Sequence, residues 1–140
     1  DVLNQFTTMK RGNYVCQAYD IDGDGNTRGI LVNSKHRNED PSFYFLAMFK
    51  KEDLEKINGW DEEYMNGYAW EDRDFGKRFK LKGIPFKVLD SIVVEHQYHP
   101  RNSNQQFLQN YQVMQQNIVS GTIIVNHHGM GDLKFVRRIV

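Results

Sequence analysis

The stretch from Asn58 to Gly83, NGWDEEYMNGYAWEDRDFGKRFKLKG, constrains this chain more than any other. It opens as a Gly-rich aromatic loop, Gly59 to Trp70, and runs directly into a segment with helical periodicity. Phe75, Phe79 and Lys82, with Leu81 beside them, recur at helical spacing. Glu71, Asp72 and Asp74 stand at the start of that segment, and Gly83 supplies a left-handed stop. An anionic first turn suits the positive end of the helix dipole. A charged carboxylate at the lip of an aromatic loop is what a general base acting on a hydroxyl requires.

What surrounds that stretch is short and electrically balanced. A chain of 140 residues reads as a single domain, and 39% hydrophobic with 13% aromatic content is enough for a core. Eighteen basic residues offset eighteen acidic ones, so nothing favours a nucleic-acid backbone or an anionic membrane as partner. No apolar run approaches the roughly 18 residues of a membrane span. The lone Cys16 excludes an intramolecular disulfide and fits a reducing cytosol. The first residue is Asp1 and no signal peptide is visible, so the chain reads as part of something longer.

Along the chain, Asp1 is placed to cap a short helix carrying Val2, Leu3, Phe6 and Met9, stopped at Gly12. Tyr14 to Tyr19 predicts a buried strand, and Ile30-Leu31-Val32 a second one beyond a polar connection. Asn33 to Pro41 reads as a charged loop, and Phe43 to Phe49 as the strongest strand candidate. Lys51 to Ile57 predicts a short helix ended by Asn58-Gly59. After Gly83, Ile84 to Leu89 and Ser91 to Glu95 read as two extended runs about a turn at Asp90. A helix near Gln105 to Val119 presents Phe107, Tyr111, Met114 and Ile118 toward the core. Gly121 ends it, and Thr122 to Val125 and Leu133 to Val140 read as strands about a turn at His127-His128.

The connection Asp20-Ile21-Asp22-Gly23-Asp24-Gly25-Asn26 has the D-x-D-x-D-G spacing of a calcium loop. Its twelfth position is Leu31 rather than glutamate, and a strand precedes it, so a plain hairpin turn is the preferred reading. A non-catalytic calcium- or carbohydrate-binding module using this loop stays open as the alternative function.

Asn58-Gly59-Trp60-Asp61-Glu62-Glu63, followed after a short loop by Trp70-Glu71-Asp72-Arg73-Asp74-Phe75-Gly76-Lys77-Arg78, resembles the second half of a GT-A glycosyltransferase. The nearest groups are the inverting family 2 enzymes and the β-1,4-galactosyltransferases, and the resemblance covers about Phe43 to Gln106. It implies an α/β fold: the C-terminal, acceptor-side portion of a Rossmann-like nucleotide-diphospho-sugar transferase, a mixed sheet with flanking helices. Residues 1–140 would be one domain lacking the nucleotide-binding half, and inactive alone. The partners implied are a nucleotide-sugar donor, a saccharide acceptor and the missing N-terminal half. The setting implied is polysaccharide assembly in the cytoplasm, at the inner membrane face.

By the same resemblance Asp72 is the base that takes the proton from the acceptor hydroxyl, and Glu71 bonds the acceptor's other hydroxyls. Asp74 is instead expected to pair with Arg78 four residues on. Tyr68 and Trp70 are aromatic candidates for the apolar face of a sugar; they stand where the galactosyltransferase pattern has Trp and Gly, so Trp70 is a departure. Trp60 is expected to be structural. His96 and His99 mark the corner where the resembled enzymes hold Mn²⁺ or Mg²⁺ on the diphosphate, with His99 favoured. Asp22-Gly23-Asp24 as the family's Asp-x-Asp motif ranks below the turn.

Overall fold

The computed structural model describes residues 2–32, 46–99 and 104–129. The elements run α1 (Val2–Thr8), β1 (Tyr14–Ile21), β2 (Thr27–Val32), β3 (Ala47–Met48), α2 (Lys51–Glu55), a 3-10 turn (Glu62–Asn66), α3 (Glu71–Leu81), β4 (Lys87–His96) and α4 (Asn104–Ser120). Among the described residues these build an α/β fold, a four-stranded mixed sheet flanked by helices. That is the α/β class expected.

Strand β1 is the hub, because each of its edges is used. One edge carries β4 in parallel from Tyr14↔Lys87 to Asp20↔His96. The other is shared by two antiparallel partners, β3 at Tyr14–Val15 and β2 from Ala18 to Ile21. A parallel neighbour needs a long crossover, and here the crossover contains the whole Asn58–Gly83 stretch. Pairing shifts from Cys16↔Leu89 to Gln17↔Val93, so Asp90-Ser91-Ile92 bulge out of register. The turn expected at Asp90 is therefore a bulge inside one continuous strand. A bulge absorbs extra residues without ending the ladder.

Two apolar clusters meet at Phe86. Val15, Ala18 and Val32 of β1 and β2 form one; Ile57, Phe75, Phe79 and Ile84 form the other about α3. Phe75 and Phe79 are fully buried as their spacing predicts, whereas Leu81 is exposed. Gly83 takes φ 69° and lets the Ile84 amide bond back to the Phe79 carbonyl at 2.9 Å, closing α3.

Asn13 ties three elements together. Its carboxamide donates to Asp53 at 2.8 Å and to the Pro85 carbonyl at 3.0 Å, and accepts the Lys50 amide at 2.8 Å. Buried Asp53 also meets Lys50 Nζ at 2.8 Å and Lys56 Nζ at 2.6 Å. Burial pushes its pKa up, but hydrogen bonds from Lys50, Lys56 and Asn13 outweigh that and hold it well below the usual carboxylate range.

Three expectations change. Only Ala47 and Met48 of the Phe43–Phe49 run are a strand within the described residues; residues 43–45, the loop 33–41, Asp1 and the strand expected at 133–140 lie outside them. Thr122–Val125 is not a strand, because side-chain amides rather than a ladder take the Val125 and Asn126 carbonyls. On α4, Met114 is buried, yet Phe107 and Tyr111 are 37% and 38% exposed. The helix instead turns Asn110 inward, fully buried, since this face must satisfy loop backbone groups rather than fill an apolar core.

Candidate active site

The motif is held by a buried ion pair. Arg78 Nε donates to Asp74 Oδ2 at 2.7 Å, and Nη1 donates to the carbonyls of Ile57 at 3.1 Å and Gly59 at 2.8 Å. Both side chains are at most 3% exposed, so the expected i,i+4 pair forms in the interior and not on the surface. Asn117 of α4 completes the frame, its amide reaching Asp61 Oδ2 at 3.0 Å and Asp74 Oδ1 at 3.1 Å. Burial first, then the charges of Asp74 and Asp61, push the Tyr64 phenol far above its usual range. Trp60 lies flat on Phe75, 3.8 Å between centroids at 13°, the structural role expected of it.

That frame fixes the loop leading to the acids. Asn110 donates to the Ala69 carbonyl at 2.8 Å and the Tyr64 carbonyl at 3.3 Å, and the Tyr68 amide bonds the Gln106 carbonyl at 3.2 Å. A Cβ on Gly67 would stand 1.8 Å from Asn110 Oδ1, so glycine is required for this approach. Ala69 and Trp70 then take φ of 63° and 75°, in the left-handed region. The galactosyltransferase pattern has glycine where Trp70 stands, and the backbone explains why: glycine adopts this conformation without Cβ strain. Strain of this kind concentrates at functional sites.

Tyr68, Trp70, Glu71 and Asp72 are all half-buried, on the loop and first turn of α3. The Trp70 ring packs on Phe107 and Tyr111 of α4 at 5.1 and 5.0 Å, with the Arg73 guanidinium 5.4 Å from its centroid. Trp70 Nε1 and Glu71 Oε2 are buried with no hydrogen-bond partner among the described residues.

His96 and His99 stand at the end of β4, their rings 5.2 Å apart. Because β1 and β4 run parallel with Asp20 opposite His96, the hairpin loop after β1 arrives at the same end of the sheet. His96 Nδ1 lies 3.1 Å from Asp20 Oδ1, and the Tyr98 ring covers Gly23. The register thus brings the Asp20–Asp24 loop to the histidine corner, a proximity that sequence separation concealed. Within the loop, Asp22 Oδ1 accepts the Asp24 and Asn26 amides at 3.0 and 2.8 Å, which is the work of a turn. These bonds, the Asn26 amide foremost, lower the Asp22 pKa. Among the described residues no three His, Cys, Asp or Glu side chains converge as a metal site. Among the described residues the donors gathered at this corner are Asp20, His96 and His99.

A cleft of about 510 Å³ lies between the 3-10 turn and the segment after α4. None of Asp72, Glu71, Tyr68, Trp70, His96 or His99 lines it. Sequence reasoning missed Asn110, Asn117 and Asn126, whose partners are all distant in sequence; only their placement near α4 and the chain's end was visible.

Residues 39–102 match the family model described as the N-terminal domain of galactosyltransferase. A segment of 70 residues is 40% identical to chondroitin synthase of Pasteurella multocida (strain Pm70), covering 48% of this chain. Both matches support a glycosyltransferase. The chain spans only 7% of that synthase's length. The matched residues 39–102 contain the Arg78–Asp74 pair, the strained loop, Asp72 and both corner histidines; α4, with the Asn117 that completes the frame, falls outside them. No solved structure gives a significant match. No helix among the described residues is long and apolar enough to cross a membrane.

Proposed function

We propose that this chain is the acceptor-side part of an inverting GT-A glycosyltransferase, of family 2 or galactosyltransferase type, with Asp72 as the base. The observation that carries the reading is the pair of orphaned polar atoms beside Asp72. Five buried side-chain polar atoms lack partners among the described residues. Tyr64, Arg78 and Asn110 hold three of them inside the frame, while the Glu71 carboxylate oxygen and the Trp70 indole N–H stand next to Asp72 in the chain. Buried polar groups usually find a partner. A sugar hydroxyl both donates and accepts, so one substrate group offers what each atom lacks.

In the reaction, the acceptor hydroxyl oxygen bonds to the anomeric carbon of a nucleotide-activated sugar. Asp72 takes the hydroxyl proton as the bond from that carbon to the diphosphate oxygen breaks, and the diphosphate leaves with the electron pair. One displacement from the opposite face inverts the configuration. Glu71 and the Trp70 indole N–H orient the acceptor, and Tyr68 faces its apolar side. The His96–His99 corner, with Asp20 beside it, is the proposed place for Mn²⁺ or Mg²⁺, which would neutralise charge on the leaving diphosphate. Donor binding is assigned to a nucleotide-binding half outside this chain, in polysaccharide assembly on the cytoplasmic face of a membrane.

The test is Asp72→Asn in a longer polypeptide that carries this segment and turns over a nucleotide sugar. The substitution lowers kcat by about 10²–10⁴, the usual worth of a general base. The 140-residue chain assayed alone is expected to transfer little. Undiminished kcat in the variant refutes the assignment of Asp72.

A further inference from the structure

The cleft of about 510 Å³ has the dimensions of a ligand site, within the range of about 300–1,000 Å³ usual for such sites. One wall is Asp61-Glu62-Glu63; the other is contributed by Asn117 of α4 and the segment after that helix, which lie beyond the matched residues 39–102.

Both walls are locked in place. Asn126 Nδ2 donates to the carbonyls of Asn58 at 2.9 Å and Trp60 at 2.6 Å, and its Oδ1 accepts the Glu62 amide at 3.0 Å. Asn58 Nδ2 returns bonds to the carbonyls of Val125 at 2.9 Å and Asn126 at 3.2 Å. Val125 is buried beneath. A recess built by reciprocal side-chain bonds is organised before any ligand arrives, which removes an ordering cost from binding.

The lining selects by charge. It carries the carboxylates of Asp61, Glu62 and Glu63 and contains neither lysine nor arginine. A diphosphate or a uronate would meet the exposed carboxylates of Glu62 and Glu63, with Asp61 buried behind them, and among the described lining residues only the imidazoles of His127 and His128 stand against that like charge. What remains exposed is Glu62, Glu63, His127 and His128, which exchange hydrogen bonds readily, and Ile124, 49% exposed, which offers an apolar surface. Polar groups around an apolar patch match the hydroxyl edge and C–H face of a pyranose.

We propose that this cleft binds an uncharged saccharide residue, a hexose or N-acetylhexosamine, in a subsite separate from the residues assigned to transfer. The choice of a saccharide rests on the glycosyltransferase reading; the exclusion of acidic sugars rests on the cleft itself.

An amide-resolved NMR titration of the 140-residue chain with N-acetylglucosamine, and separately with glucuronate, tests it at neutral pH. N-acetylglucosamine shifts the amides of Glu62, Glu63, His127 and His128, and glucuronate does not. Replacing Ile124→Asp and His127→Ala, both exposed, abolishes the shifts while the remaining spectrum is retained. Glu62→Gln with Glu63→Gln admits glucuronate. Absence of cleft shifts with N-acetylglucosamine, or equal shifts with glucuronate in the unsubstituted chain, overturns the proposal. Shifts confined to residues 68–72 also overturn it, yet leave the role of Asp72 standing. Cleft shifts alongside an undiminished Asp72→Asn enzyme support the subsite and sink the transfer reading.

Discussion

Arg78→Met removes the central tie of the motif while keeping an unbranched side chain in its place. Arg78 and Asp74 are 1% and 3% exposed, so solvent cannot replace the lost charge. Asp74 would keep the Asn117 amide at 3.1 Å as a donor, and the Ile57 and Gly59 carbonyls would each lose an ionic donor. Breaking a buried pair from one side costs about 3–5 kcal/mol. The two carbonyls place this case toward the upper end, at about 4 kcal/mol. Against a domain stability of about 5–15 kcal/mol, that is a large share. With a urea slope of about 2 kcal/mol per molar, the unfolding midpoint falls by about 2 M. Tryptophan fluorescence reports the transition, because Trp60 stacks on Phe75 beside Gly59. Adding Asp74→Asn removes the stranded charge, so the double variant is more stable than the sum of the two single losses by about 1–3 kcal/mol. A loss below about 1 kcal/mol for Arg78→Met, or strict additivity in the cycle, would refute the claim that this pair anchors the loop.

Gly67→Ala drives a Cβ to within 1.8 Å of Asn110 Oδ1 and destabilises by about 1–3 kcal/mol in denaturant titration, with part of the loss recovered on adding Asn110→Ala. Asp53 is lowered in the folded state, so its stabilisation is complete above the unfolded carboxylate pKa of about 3.9 and is lost as pH falls through the folded value. Acid unfolding of Asp53→Asn is therefore flatter below that pH than that of the unsubstituted chain. Burial raises the Cys16 thiol, so disulfide reagents modify it slowly in the folded chain and rapidly in denaturant.

The covered face of α3 illustrates what periodicity alone decides. Phe75 and Phe79 fall on one side of any helix begun at Glu71, and both are fully buried. Gly83 and Gly121, at φ 69° and 65°, end their helices for a reason internal to each residue. The acids, the aromatic loop and the expected Asp74–Arg78 pair are likewise local facts, readable from spacing.

Trp70 and the histidine corner show where that reading stopped. Nothing adjacent to Trp70 announces a left-handed backbone; it is imposed on a loop that Asn110 and Gln106 of α4 hold by its carbonyls and amide. Asp20 meets His96 only because β1 and β4 pair in parallel across the whole crossover, and the clasp of Asn58 with Asn126 spans 68 residues. Helix stripes and stops arise from neighbours a few bonds away, so the amino-acid order determined them here. Which asparagine reaches which distant carbonyl depends on how the elements pack, and only the assembled fold decides that.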